Sequence, residues 1–316
     1  MGRGSKMADK IATREAYGNA LVELAEKYDF VVLDADLAAA TKTGIFKKKY
    51  PNRFFNCGIA EGNMISVAAG IATTGLLTFA SSFAMFAAGR AYEQVRNAVG
   101  YPHLNVKIAA THAGVTVGED GATHQCNEDI ALMRTIPGMV ILNPADAPET
   151  RSAIEAAMQH DGPVYIRLSR AAAPVINADS YKFEIGKGVM LADGKDVAIV
   201  ATGYMTHIAL DAAKLLEAEG ISARVINMPT IKPLDTAMIE KAARELGAVV
   251  TVEEHSIIGG LGSAVCEALA EVCPVPVCRI GVPDCYGRSA SAGEMLAYMN
   301  LTAESIAART KKLIGK

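Results

Sequence analysis

Short apolar runs alternate with stretches of helical periodicity along almost the whole of the 316 residues, and this rhythm limits the fold more than any other feature. The runs in the first half include FVVLD (30–34), NVKIAATH (105–112), GMVILNPAD (138–146) and GPVYIRLSR (162–170). The rhythm restarts with DVAIVATG (196–203), SARVINMPT (222–230), AVVTVEEH (248–255) and VPVCRIGV (275–282). Between such runs lie helices of about twelve residues, one of them the stripe Ala20, Leu21, Leu24, Ala25 and Tyr28. Strands separated by helices of that length are joined by right-handed crossovers and pair mostly in parallel. The pattern is lost from 171 to 195, which carries Pro, Gly and Asp without a sustained period. The expected fold is α/β, with two tandem domains, 7–175 and 196–316, each a mostly parallel sheet flanked by helices, and a linker at 176–195.

A formal net charge of −3, from 31 basic and 34 acidic residues, gives no basic field for nucleic acid or an anionic membrane. The most apolar stretch, 64–91, is broken by Gly, Ser and Thr and is not expected to span a bilayer. The expected partners are a small molecule and another protein. Six cysteines show neither a CxxC pair nor metal-ligand spacing, so they read as reduced thiols of a cytoplasmic protein. The start, MGRGSKMADK, lacks the apolar core of a secretory signal, and Met1–Lys6 reads as an appended remnant or a frayed start.

Candidate chemistry clusters after the apolar runs. FVVLD leads into Asp34 and Asp36, and the carboxyl ends of strands are where open α/β sheets bind ligands. Asp34 reads as a cap of the next turn. NCGIAEGNM (56–64) holds one carboxylate, Glu61, just before an apolar helix. On that stretch alone it is either a tuned acid or an acid favoured by the helix dipole. Phe79, Phe83 and Phe86 cluster in a strand–loop–helix stretch and read as core or as a cofactor wall.

THAGVTVGEDGATHQ (111–125) is the most informative loop, with two histidines, an acid pair and three glycines. Glycine lets a backbone approach a ligand, and histidine moves protons near neutral pH. His112, Asp120 and His124 could also serve a metal, although their wide spacing argues for no metal site. Arg167 and Arg170 each read as a solvated end charge, but Arg170 closes the strand GPVYIRLSR beside the glycine loop, a placement suited to a phosphate. GGLGSA (259–264) partly echoes a dinucleotide fingerprint. It lacks the third glycine and the distant acid, so a tight turn into a helix is expected there.

The segments LDADL, CGIAEGNM, TFASSFAMFAAGRA, ATHAGVTVGEDGATHQ, VILNPAD and YIRLSR resemble the pyrimidine-binding domain of the transketolase family, and IVATG and VEEHSIIGGLGSAV resemble its C-terminal domain. The Gly-Asp-Gly element with a downstream Asn, through which full transketolases hold a diphosphate and Mg²⁺, does not occur. The resemblance therefore implies the C-terminal subunit of a split, thiamin diphosphate-dependent transketolase of the pentose phosphate pathway, inactive alone. Its partner would be an N-terminal subunit that holds the diphosphate and Mg²⁺. A heterotetramer is expected with that partner, and self-association without it.

By the same resemblance, Glu61 would activate the cofactor's aminopyrimidine through the opposite ring nitrogen, and Phe83 and Phe86, with Phe79 next, would wall the ring. His112 and Arg170 would hold the sugar phosphate, Asp120 would read a substrate hydroxyl, His124 would lie beside the developing alkoxide, and Asp36 would support the entrance. Where transketolases usually place a phosphate-contacting Ser, this chain has Ala40 and then Thr41. The implied reaction is reversible transfer of a two-carbon ketol unit from ketose phosphate to aldose phosphate. Rival readings are the matching half of a deoxyxylulose-phosphate synthase, the beta subunit of a 2-oxoacid dehydrogenase decarboxylase, and a non-catalytic scaffold paralogue. The THAG opening, the intact GEDGATHQ loop and the retained Glu61 and His112 argue against them.

Overall fold

In the computed structural model, which describes residues 10–316, the two α/β halves anticipated from the sequence are present, and the Met1–Lys6 segment lies outside the described residues. The first half supplies strands β1 (Lys10–Ala12), β2 (Phe30–Asp34), β3 (Phe54–Asn56), β4 (Leu77–Phe83), β5 (Val106–Thr111), β6 (Val140–Leu142), β7 (Val164–Arg167) and β8 (Ala172–Pro174). The second supplies β9 (Val189–Ala192), β10 (Val197–Ala201), β11 (Ala223–Asn227), β12 (Thr230–Lys232), β13 (Val249–Ser256) and β14 (Val277–Val282).

The larger sheet has the order β12-β6-β7-β5-β4-β2-β3 and is parallel except for β12. Its central strands are buried throughout, which fits a parallel sheet covered on both faces. The helices Thr13–Leu24 and Ala147–Gln159 cover one face, where Tyr17, Leu21, Phe30, Phe79 and Ile154 share a core. The helix Glu61–Ala72 and the helical segment that follows β4 cover the other, around Met64, Ile65, Val95 and Val99. The smaller sheet has the order β14-β13-β10-β11-β9 and is parallel except for β9.

Three departures from the sequence pattern have physical reasons. β9 lies inside the stretch expected to be a patternless linker; it is a sheet edge, none of its four residues is fully buried, and no alternation marks it. β12 follows β11 of the second half yet pairs with β6 of the first, Thr230 opposite Leu142. Three residues are too few to show a period, but they tie the halves into one body. Finally, β4 passes through Ala84 directly into the π-helical turns Met85–Arg90 and Val95–Gly100, where a loop was expected. π-helical turns are rare and occur frequently at functional sites.

Because β2, β4, β5 and β7 run the same way, their carboxyl ends share one edge. Asp34 and Asp36, Phe83 and Phe86, His112, and Arg170 all follow those ends. The sheet thus gathers residues that lie up to 136 positions apart.

Candidate active site

The centre of this edge is an aromatic stack. The rings of Phe83 and His112 lie 3.8 Å apart and nearly parallel, Phe86 stacks on Phe83 at 5.8 Å, and His124 meets both phenylalanines edge-on at 6.2 and 5.5 Å. His112 is buried with a φ of +59°, a left-handed conformation that a non-glycine residue holds only when its surroundings fix it. Its Nδ1 lies 2.9 Å from Thr111 Oγ1, and Arg14 Nη1 lies 3.2 Å from its Nε2. Since the guanidinium can only donate, Nε2 accepts and Nδ1 carries the hydrogen toward Thr111. Burial, then the charges of Arg14 and Arg170, lower the imidazole's pKa to about 3. His112 is therefore a neutral hydrogen-bonding group at physiological pH.

Arg14 was not singled out in the sequence. It sits in the first turn of Thr13–Leu24, donates to the Ala40 carbonyl at 2.9 Å, and has a buried Nε without a hydrogen-bond partner. Its pKa is lowered by burial and then by the charge of Arg170. Two guanidinium groups repelling each other across a neutral imidazole make a place for an anion. Only the fold reveals it, because 98 residues separate Arg14 from His112.

Glu61 opens the helix Glu61–Ala72 with its side chain 1% exposed. The hydrogen bond to its carboxylate among the described residues comes from Arg90 Nη1, at 2.9 Å to Oε2. Arg90 ends the first π-helical segment and lies over the Phe86 ring, 4.6 Å from its centroid. Contacts thus run unbroken from Glu61 through Arg90, Phe86, Phe83 and His112 to Arg14.

The remaining expected residues separate clearly. Asp120 is at the exposed tip of the glycine loop and His124 is half-buried, with Nδ1 2.9 Å from Thr123 Oγ1. Arg170 donates to the Val117 carbonyl and reaches the Glu119 carboxylate at 3.4 Å, so it braces the loop in addition to facing the anion place. Exposed Asp36 has a φ of +64° and exchanges hydrogen bonds with Asn56, whose carbonyl also accepts from Gly58 N, so it braces the turn that leads to Glu61. Asp34 is the expected cap: its carboxylate accepts from Leu37 N, Thr41 and Thr43.

Two expectations are corrected. Phe79 is fully buried against Tyr17 and Phe30. It is four residues before the strand end, about 13 Å down the sheet, and takes no part in the aromatic stack. Arg167 is not a solvated charge: it is 2% exposed and bonded to Asp129 at 2.9 Å. No group of three metal-type ligands occurs among the described residues, so His112, Asp120 and His124 do not form one. At the dinucleotide echo, the Leu261 and Gly262 N–H groups, where a phosphate would bind, are taken by the Glu253 carboxylate at 2.7 and 2.8 Å.

These residues suit a thiamin cofactor's pyrimidine: a desolvated carboxyl at Glu61 beside the Phe83–Phe86 pair supplies an acid next to a flat apolar wall. Arg90 is the one feature that competes with that use.

Comparison with known proteins gives a consistent picture. Residues 9–175 match the family described as transketolase, pyrimidine binding domain, and 186–306 match transketolase, C-terminal domain. A Methanocaldococcus jannaschii protein provisionally named a transketolase C-terminal section is 53% identical over 96% of each chain. A Clostridium sp. (strain MSTE9) 6-deoxy-6-sulfo-D-fructose transketolase subunit is 45% identical over 93% of this chain and 91% of its own. A solved structure described as a split gene transketolase, inactive beta4 tetramer, superposes with a TM-score of 0.91 at 54% identity, covering 96% of this chain and 99% of that one.

Proposed function

The chain belongs to the transketolase family as a C-terminal section, and from that premise we propose that it is the pyrimidine-side half of a split transketolase. In this reading it transfers a two-carbon ketol unit from a ketose to an aldose that each carry a terminal anion, phosphate first. A separate subunit holds the diphosphate and Mg²⁺ of thiamin diphosphate. The observation that carries the reading is the unbroken chain of contacts from the buried Glu61 carboxylate to the Arg14–His112–Arg170 anion place.

Thiamin diphosphate supplies a stabilised carbanion when bound. Glu61 would hold a proton toward the cofactor's ring nitrogen, for which Arg90 would have to release Oε2. Phe83 and Phe86 exclude water from one side of the ring and hold it flat. Arg14 and Arg170 neutralise the sugar's terminal anion, and His112 donates from Nε2 once its ring has reversed its tautomer or taken a proton from the anion. His124 stands at the mouth of the stack, where it can hold a proton against the developing alkoxide, and Asp120 reads a substrate hydroxyl from the loop tip. Exposed Phe55 on β3, Ile59 on the turn into the Glu61 helix and Val67 on that helix flank Glu61 in sequence, which suits a partner covering that side. Two copies of each subunit make the expected assembly.

The test is co-expression with a candidate diphosphate-binding subunit, followed by assay with thiamin diphosphate and Mg²⁺. Xylulose 5-phosphate plus ribose 5-phosphate is compared with pyruvate plus glyceraldehyde 3-phosphate. Ketol transfer is expected with the first pair, and Glu61→Ala should abolish it while the assembly still forms. Turnover of the second pair alone, or near-normal turnover by Glu61→Ala, would refute the reading.

A further inference from the structure

The second half contributes none of the residues of the aromatic stack, the anion place or the Glu61 pair, yet it touches the glycine loop at both ends. Glu254, on β13, is 2% exposed, and its Oε2 accepts from Thr116 Oγ1 at 2.8 Å and from Thr116 N at 3.3 Å. Gly114, with a φ of +79°, lies directly under that carboxylate, and a Cβ there would collide with it. At the other end, Gln125 Nε2 donates to the Arg288 carbonyl at 3.0 Å and to the Val115 carbonyl at 3.4 Å. Ser256 N donates to the Asn127 carbonyl at 2.7 Å. Arg167 ties the two ends together, donating through Nη2 to the Glu254 carbonyl at 3.1 Å and the Cys126 carbonyl at 3.4 Å while Asp129 holds its Nε.

We infer that the C-terminal half is the scaffold of the substrate loop, with Glu254 a positioning residue that acts on Asp120 and His124 through Thr116. A buried carboxylate whose bonds reach across to another half's loop is costly unless those bonds are kept. A glycine-rich loop of fifteen residues has no such rigidity of its own. The loop is therefore held at its two feet, 116 and 125–127, while its tip, Glu119 and Asp120, stays exposed. The placement of the clamp is structural, and its effect on substrate rests on the functional reading above.

Three variants of the full chain test it: Thr116→Val, which keeps volume and removes the hydroxyl, Glu254→Ala, and Glu254→Gln, which keeps an acceptor oxygen. Hydrogen exchange of the 113–125 amides is followed against β10 as an internal reference. Thr116→Val and Glu254→Ala should raise loop exchange about tenfold, the equivalent of one lost buried hydrogen bond, while Glu254→Gln stays close to the parent and β10 is unchanged. In the assembled enzyme the first two should raise KM for the ketose phosphate about tenfold, with thiamin diphosphate affinity unmoved. Unchanged loop exchange in Thr116→Val, failure of Glu254→Gln to rescue, or cofactor affinity falling together with KM would overturn the inference. An assembly without ketol transfer would instead remove the functional reading, and the exchange result would still decide the clamp.

Discussion

Replacing Arg14 by Met tests the anion place at the residue that the sequence did not expose. The substitution keeps an apolar stem over the same helix turn and removes the charge. Arg14 is about half-buried, its Nε has no partner, and its Nη1 reaches His112, so the guanidinium is held in a water-poor position. A charge-assisted hydrogen bond in such a place contributes roughly 1.5–3 kcal/mol. At about 1.4 kcal/mol per factor of ten, kcat/KM for a ketose phosphate should fall by about 10- to 150-fold. Arg170 remains and keeps part of the affinity. The decisive assay compares xylulose 5-phosphate with unphosphorylated xylulose in the assembled enzyme. The loss should be confined to the phosphorylated sugar, because the unphosphorylated one has nothing to lose at Arg14. Arg14→Lys should recover only part of it, since an ammonium cannot present a fork to the anion. An equal loss for both sugars would show that Arg14 acts on the fold of the site and not on the phosphate, and the reasoning would fall.

Two further outcomes follow from buried groups. Asp129→Ala leaves the buried Arg167 guanidinium without its carboxylate and the Tyr165 hydroxyl without its acceptor, which should cost about 3–5 kcal/mol in urea unfolding; a loss below about 1 kcal/mol would contradict the burial of that pair. For His112, the folded pKa of about 3 lies below the ordinary 6.5, so the folded state resists the proton. Its contribution to stability is constant above about pH 6.5 and declines as pH falls from there toward 3. The imidazole NMR signals of His112 should stay flat from pH 8 to 5; a midpoint near 6.5 would refute the role given to burial and the flanking cations.

What was legible in the sequence is what one strand and its next loop can show. His112, Asp34 and Arg170 stand out because polar residues directly follow apolar runs, and a parallel sheet then brings those ends together. The glycine loop stands out by composition alone. Arg14 was hidden because its local context is an ordinary amphipathic helix, and its meaning depends on a neighbour 98 residues away. Arg90 was hidden because the wide turns of the π-helical segment, not α-helical spacing, bring it over Phe86 and onto Glu61. Glu253 and Glu254 looked like the polar end of a strand, yet both are buried with carboxyls pushed up to about 7 by burial. Glu254 marks a half-to-half contact, which one chain half cannot display, while Glu253 binds the Leu261 and Gly262 N–H groups of its own half. Phe79 misled in the opposite sense: aromatics close in sequence were read together although four residues along a strand separate core from rim.

On the proposed function, the Arg90–Glu61 pair is the contact that a bound cofactor would displace. A carboxylate 1% exposed would be costly without a counter-charge, and Arg90 provides one within the same chain. The arginine itself is 55% exposed, so releasing Glu61 returns its guanidinium to water. Its contact over the Phe86 ring does not depend on the carboxylate and can remain. The asymmetry of burial within one ion pair therefore sets the direction of the exchange that the proposed function requires: Glu61 would stay in place, Arg90 would move, and a ring nitrogen that can share a proton would replace the guanidinium. A pair buried on both sides, such as Arg167 with Asp129, could not be exchanged in this way, and it is found in the scaffold and not at Glu61.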